Sequence, residues 1–366
     1  IMFFESVSDM KITSSNIEEE LNSFMVKREA LNDDWVIADT SNTFIFDKIK
    51  RNSILLGDIS TIEKGSTSGK NEVFTISCAL AEKMALEDSV LRKNIKNGDI
   101  DRYTLYDRGN YFIYIDNQTH IESLPNIFSY LKAHKDILSD RNEVKKGLYP
   151  WYRLERPRKK AIFDADEKIV VPYRSENNRF AYDNKQYFND GGDIRVIVIK
   201  NHKFSTKYIL AILNSGLIDW FYGFIGKPKG KVREYFNGPL SLIPIKEISE
   251  VEQKPFINIV DTILYAKTKV LEKEAAFFEH LIDSMVYELY FPDEIKAAGC
   301  EVLKHLSNLP ELNDNQNDEQ KLAAIEKVHR ELSSPSHPVS IAMAKMRDIP
   351  EVRIIEGLET LKEPDK

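Results

Sequence analysis

A glycine-bracketed run of small polar residues, Gly65-Ser66-Thr67-Ser68-Gly69-Lys70-Asn71, is the first place in this sequence where residue types suggest chemistry. Backbone N–H groups in such a loop can cradle a phosphate that a following lysine reaches. The run is one residue too short for that nucleotide-binding spacing, and Asn71 stands where a magnesium-binding hydroxyl belongs. It also leads into strand-like Glu72-Val73-Phe74-Thr75-Ile76 rather than a helix. The nucleotide reading is rejected. Two readings remain: a tight turn between strands, or a small polar loop that approaches a nucleic-acid backbone or base edge.

A second cluster interleaves aromatics with cations: Trp151-Tyr152-Arg153, then Arg156 and Arg158-Lys159-Lys160. Guanidinium groups bind phosphates or guanine edges in bidentate fashion, and an aromatic can stack or wedge at an unpaired site. Lys227, Lys229, Lys231 and Arg233 sit on a Gly/Pro loop, where they would be mobile and hydrated unless a polyanion orders them. Trp220, Phe221 and Phe224, at helical spacing, read as core.

Metal and catalytic chemistry find little support. The seven histidines form no close pair and no cysteine lies near one, so no metal site is expected. Asp293 with Glu301 and Lys304, and the Asp164-Asp166-Glu167-Lys168 run, faintly suggest nuclease carboxylates, but at the wrong spacing; helix surface and turn chemistry account for them better. No Asn-Pro-Pro-Tyr or Asp-Pro-Pro-Tyr tetrad occurs and no glycine-rich loop follows an acidic strand end, so machinery for methyl transfer is not visible.

The 366 residues carry a formal charge of -7, unevenly spread. From Arg141 to Arg233 there are 20 Lys and Arg against 10 Asp and Glu, which leaves the remainder strongly acidic. A basic face on an acidic molecule suits a DNA-reading module attached to other domains, or equally a solvated surface on which basic residues cluster by chance. Two widely separated cysteines, Cys78 and Cys300, exclude a disulfide scaffold and fit a reducing, cytoplasmic setting. No signal peptide is visible, and the apolar stretch Tyr208 to Ile225 contains Asn214, Ser215, Gly216 and Asp219, so two helical pieces are expected there rather than a membrane span. The start at Ile1 raises the expectation of a piece of a longer polypeptide.

These residues need positioning elements. The pattern predicts strands at Met2-Phe3-Phe4-Glu5 and Trp35-Val36-Ile37-Ala38-Asp39 around a helix from Ser15 to Ala30. Further strands are expected within 54–65, at 72–76 and at 111–115, with helices over Cys78 to Ile95 and Ser123 to Leu138. Strand candidates follow at 160–164, 168–174 and 193–200, then helices Thr206 to Leu213 and Leu217 to Ile225. Apolar residues at helical spacing from Pro255 to Tyr290 predict a long helix or helical hairpin, with Pro255 and Pro292 at its ends. The rest, 293–366, is helical and acidic.

In order along the chain, ISTIEKGSTSGKNEVFTI, IKNGDIDRYTLYD with YFIYI, LYPWYRL, KIVVPY, ILNSGLIDWFY and LSLIPI resemble the TaqI-like C-terminal specificity domain. That domain is the target-recognition module of N6-adenine DNA methyltransferases and fused type IIG restriction-modification enzymes. The resemblance spans about Trp35 to Phe291 and implies a mixed α/β (α+β) recognition domain over residues 51–246. Around it lie an N-terminal linker (1–50), a long helix or hairpin (247–292) and an acidic helical tail (293–366).

It further implies binding of double-stranded DNA, presented to a methyltransferase domain absent from this chain that would bind S-adenosylmethionine; no cofactor is expected here. Base reading is expected from Thr67, Ser68, Asn71, Arg153, Arg156 and Arg174. Phosphate contacts are expected from Lys64, Lys70, Lys145, Lys146, Arg158, Lys159, Lys227, Lys229 and Lys231. The alternative is an interaction module, or a specificity-type subunit, that pairs through the 255–290 helix with a separate catalytic chain.

Overall fold

The computed structural model describes residues 42–313 and 315–358, and otherwise only the backbone of two short antiparallel strands, Met2–Phe4 and Ser23–Met25. The second strand interrupts the helix expected from Ser15 to Ala30; the remainder of that helix, and the strand expected at 35–39, lie outside the described residues.

Ile169-Val170-Val171 and the run from Ile194 to Ile199 are rich in β-branched residues with little polar alternation, the pattern of strands covered on both faces. They form Lys168–Pro172 and Ile194–Ile199, the centre of a four-stranded antiparallel sheet edged by Ala181–Asp183 and Ser60–Lys64. Successive side chains point to opposite faces of a strand, and here each face has its own core. Ile169, Val171 and Ile197 enter one; Val170, Ile194 and Val196 enter the other.

The second core lies under a three-stranded sheet, Thr75–Ser77, Asn110–Ile113 and Leu91–Lys93, and the helix Pro125–Ala133. Two expected elements differ here. The helix expected from Cys78 to Ile95 stops at Lys83, because Ala85 turns left-handed (φ 49°) and Leu86 N–H returns to Ala81 C=O at 3.0 Å, closing the helix end. The strand expected at 160–164 is a helical turn, Lys160–Phe163.

The first core extends into helices. Ser205 and Ser215 each accept an N–H of the turn they precede, starting Thr206–Asn214 and Gly216–Ile225. Phe46 meets Trp220, Phe221 and Phe224 at ring separations of 5.4, 5.2 and 5.3 Å, so those aromatics are core. The long apolar repeat is a hairpin, Glu250–Thr268 and Glu272–Tyr290. It starts at Glu250, five residues before the expected Pro255, behind a capping box of Ser249 and Glu252. Its apolar stripe is filled from within the chain. Phe256, Ile259, Val260 and Ile263 of the first helix share that core with Phe278, Leu281 and Met285 of the second.

The acidic tail packs on the same layer. Ile325, Val339, Met346 and Val352 join the first core, and Lys48 bridges Glu294 and Glu351. A single apolar core therefore runs from Ile45 to Ile354, across positions 246 and 292. No helix among the described residues is long and apolar enough to cross a membrane.

Candidate nucleic-acid interface

The Gly65–Asn71 loop is pinned from two sides. Thr67 and Arg156 exchange backbone hydrogen bonds at 3.0 and 2.8 Å, and Ser66 Oγ donates to Pro157 C=O at 2.8 Å. Ser68 gives its N–H and its hydroxyl to the two oxygens of Asp190, at 2.9 and 2.7 Å. Burial pushes the Asp190 carboxyl up to about 6, against the pull of those Ser68 hydrogen bonds. From below, buried Arg141 donates to Ser68 C=O at 2.5 Å, Arg153 C=O at 2.9 Å and Leu138 C=O at 3.0 Å. Its guanidinium lies 5.7 Å from the Phe74 ring and 5.3 Å from that of Tyr149.

Ser68 is thus wholly buried and occupied by Asp190, while Thr67 and Lys70 are half-buried and Asn71 is exposed. A single helical turn, Asn71–Phe74, precedes the expected strand, which is Thr75–Ser77. Glycine is required at both ends of the loop by close side chains: a Cβ at Gly65 would collide with Asn189 Oδ1, and one at Gly69 would lie 2.8 Å from Glu155 Oε2.

Beside the loop, cations from segments far apart in sequence meet. Lys64 and Arg195 are directly opposite in the antiparallel register, so their side chains share a face of the central sheet. The Arg195 guanidinium stands 5.1 Å from the Tyr173 ring and 5.8 Å from that of Phe236. On the same two rings rest Arg174, 4.9 Å from Tyr173, and Lys227, 5.8 Å from Phe236. Buried Glu234 ties this group together, at 2.6 Å from Arg174, 3.7 Å from Lys227 and 3.0 Å from the Tyr173 hydroxyl. The Arg174 hydrogen bond holds its carboxyl below the ordinary glutamate range.

Burial lowers the Lys64 ammonium, and the neighbouring Arg195, Arg158 and Arg156 charges lower it further. Burial likewise lowers Arg195. The expected Gly/Pro/Lys loop is a β-hairpin, Lys227–Lys229 with Val232–Glu234, joined to Arg174–Ser175 and turned at Gly230 (φ 62°). The sheet therefore orders the backbone of Lys227 and Lys229 without a polyanion.

The other expected contacts are placed variously. Arg153 is half-buried, bonded to Asn117 Oδ1 and stacked 4.5 Å from Tyr149. Trp151 packs 5.9 Å from Phe128 and 5.6 Å from Tyr152. Lys145 pairs with Asp140 at 2.6 Å, and Lys146, Lys159, Lys229 and Lys231 are exposed. Sequence reasoning missed Arg195, Arg141, Asp190, Tyr173 and Phe236. Arg195 did leave a signal, since a cation within Ile194–Ile199 stands where both faces are buried.

The carboxylates weighed for nuclease chemistry have other work. Lys168 is wholly buried on Asp183 at 2.6 Å, and Glu301 pairs with Lys304 at 3.2 Å. Among the described residues no three His, Cys, Asp or Glu side chains could hold a metal ion.

Residues 93–245 match the family model of the TaqI-like C-terminal specificity domain. The type II methyltransferase M.HindII of Haemophilus influenzae is 25% identical over 313 residues, covering 79% of this chain and 60% of its own length. The type II restriction enzyme and methyltransferase RM.Eco57I of Escherichia coli is 28% identical over 202 residues, 52% of this chain and 20% of its own. The chain thus spans at most about 60% of the length of these relatives. The structure of the type IIL restriction-modification enzyme MmeI in complex with DNA superposes with a TM-score of 0.45 at 10% identity, over 83% of this chain and 36% of that one. The matched region carries Arg156, Arg158, Arg174, Arg195 and Lys227, while the Gly65–Asn71 loop precedes it. Residues 93–245 of this chain are thus similar to a TaqI-like C-terminal specificity domain.

Proposed function

We propose that this chain is the target-recognition part of an adenine-specific DNA methyltransferase or fused restriction-modification enzyme. It would grip duplex DNA for a catalytic domain that binds S-adenosylmethionine and takes the adenine out of the stack. The observation that carries this is the gathering of cations from separate segments: Lys64 stands opposite Arg195 with the Arg156 and Arg158 charges acting on it, and Arg195, Arg174 and Lys227 lie against the Tyr173 and Phe236 rings. M.HindII and RM.Eco57I, both named as methyltransferases, support the reading. Pairing with a separate chain through the helical hairpin is less favoured, because its stripe is already covered.

In this reading Thr67, Asn71, Arg156 and Arg174 face base edges. Ser68 and Arg153 position the loops that carry the readers. Lys70, Lys145, Lys146, Lys159, Lys227, Lys229 and Lys231 contact phosphates, with Lys64 and Arg158. Phosphate contacts set affinity and salt dependence, whereas base contacts set sequence. Selection of a randomised duplex library at two salt concentrations tests it. An enriched motif with salt-dependent affinity is expected; absence of duplex binding at low salt would sink the reading.

A further inference from the structure

We propose that Lys64, Arg158 and Arg195 form a clamp for one phosphodiester of the DNA backbone, with Arg195 as its floor. The clamp rests on the DNA-recognition reading above and adds a residue which that reading did not contain.

Three features of the fold are unfavourable unless an anion completes them. Like charges directly opposite across two strands repel, yet Lys64 and Arg195 hold that register. Arg195 is only 4% exposed, its Nε has no hydrogen-bond partner, and among the described residues it forms no ion pair. Asp193, the acid that acts on it across space, gives its carboxylate instead to Asn97 N–H at 3.1 Å and Asn189 Nδ2 at 2.7 Å. Arg158 adopts a left-handed backbone (φ 63°), and its Nε is also buried without a partner. Orphaned buried donors and strained non-glycine residues concentrate at functional sites.

The backbone also makes room. Gly192 (φ 66°) lies against the Lys64 side chain, where a Cβ would come within 2.7 Å of Lys64 Cε and 3.3 Å of Thr67 Oγ1. The cations therefore converge beside the recognition loop. A phosphate accepts hydrogen bonds from several directions at once, whereas a base edge offers a planar pair of atoms, so three converging cations suit the former. Tyr173 and Phe236 hold the Arg195 guanidinium in place before any DNA arrives.

The test is fluorescence anisotropy of the full chain with a labelled 20-base-pair duplex across a salt series, on Lys64→Gln, Arg195→Gln, their double variant and a Lys327→Gln control on the tail. A shared phosphate predicts about ten-fold weaker binding for each single variant on every sequence tested. Because the remaining cations still partly neutralise the shared phosphate, the slope of log affinity against log salt should fall by less than about 0.9 in each single variant and by no more than about 0.9 in the double. Slopes that fall additively would mean separate phosphates and overturn the clamp, as would unchanged slopes with wild-type binding intact. Circular dichroism checks folding, and Arg195→Lys, which keeps the charge, should recover the slope.

If the wild-type chain binds no duplex, the DNA reading fails, and the clamp is then judged on inorganic phosphate. Thermal stabilisation by phosphate that Arg195→Gln abolishes would support an anion site, and no stabilisation of the wild type would overturn it.

Discussion

Two buried cations lie on the central sheet and are treated in opposite ways. Lys168 has no exposed surface, pairs with Asp183 at 2.6 Å and donates to Phe163 C=O at 2.8 Å. Arg195 is almost as buried, has Lys64 opposite it, and is held by two aromatic rings and by backbone carbonyls. Lys168 is completed by the protein, and Arg195 is left to be completed from outside. Burial alone thus does not separate structural from functional charge; the identity of the partner does.

The largest expected effect tests the paired site. Lys168→Met leaves the Asp183 carboxylate buried without its cation, and should lower stability by about 3 to 5 kcal/mol in urea unfolding. Replacing Asp183 by Asn as well, which removes the charge and keeps an acceptor for the Lys185 and Tyr187 N–H groups, should recover part of that loss. If the single variant unfolds like the wild type, the pair is not structural and the contrast collapses.

Asp190 comes next, because it is a buried acid completed by hydrogen bonds rather than by a cation. Its folded-state pKa, raised to about 6, means that its contribution to stability is fully present below the unfolded value near 4 and is lost as pH rises through about 6. Asp190→Asn lacks that loss. The stability of the variant relative to wild type should therefore rise between pH 4 and pH 7, by at most about 3 kcal/mol. A difference that stays flat across that window would show that Ser68 and its surroundings tolerate the charged carboxylate without penalty.

Arg195→Met sharpens the contrast from the other side. Methionine keeps much of the contact with Tyr173 and Phe236 and removes the uncompensated charge. Stability without DNA should hold or rise by about 1 kcal/mol, the opposite sign from Lys168→Met, while DNA binding falls. A marked loss of stability would mean that Arg195 is a packing residue after all.

Much of this organisation is legible in the sequence, and the exceptions have identifiable causes. The central strands announce themselves through unbroken β-branched runs, and Trp220, Phe221 and Phe224 through helical spacing. The basic segments stand out by charge, but not their meeting point, which depends on Tyr173 and Phe236 and on a register that no local pattern encodes. Ser68 resembles an exposed loop residue because Asp190, the partner that buries it, lies 122 positions away. The ends at Lys83 and Thr268 are hidden for a different reason. Both close on a left-handed residue that is not glycine, Ala85 and Val270, so the usual stop signal is missing.

Val270 and Arg158 finally allow strain to be compared with function. Both have left-handed backbones, φ 58° and 63°, a conformation that L-residues with a Cβ adopt at a cost of roughly 1 to 2 kcal/mol. Val270 only closes a helix, through Leu271 N–H to Ala266 C=O at 2.9 Å, whereas Arg158 carries a charge into the cation cluster. Val270→Gly should raise stability by about 1 kcal/mol, less what the unfolded chain gains in freedom, and leave DNA affinity unchanged. Arg158→Gly should give a similar small gain in stability together with weaker binding and a shallower salt slope. Thermal unfolding and anisotropy on the same two variants decide the matter. If both lose affinity, the hairpin turn belongs to the interface; if neither does, the strain at Arg158 serves only the chain's path.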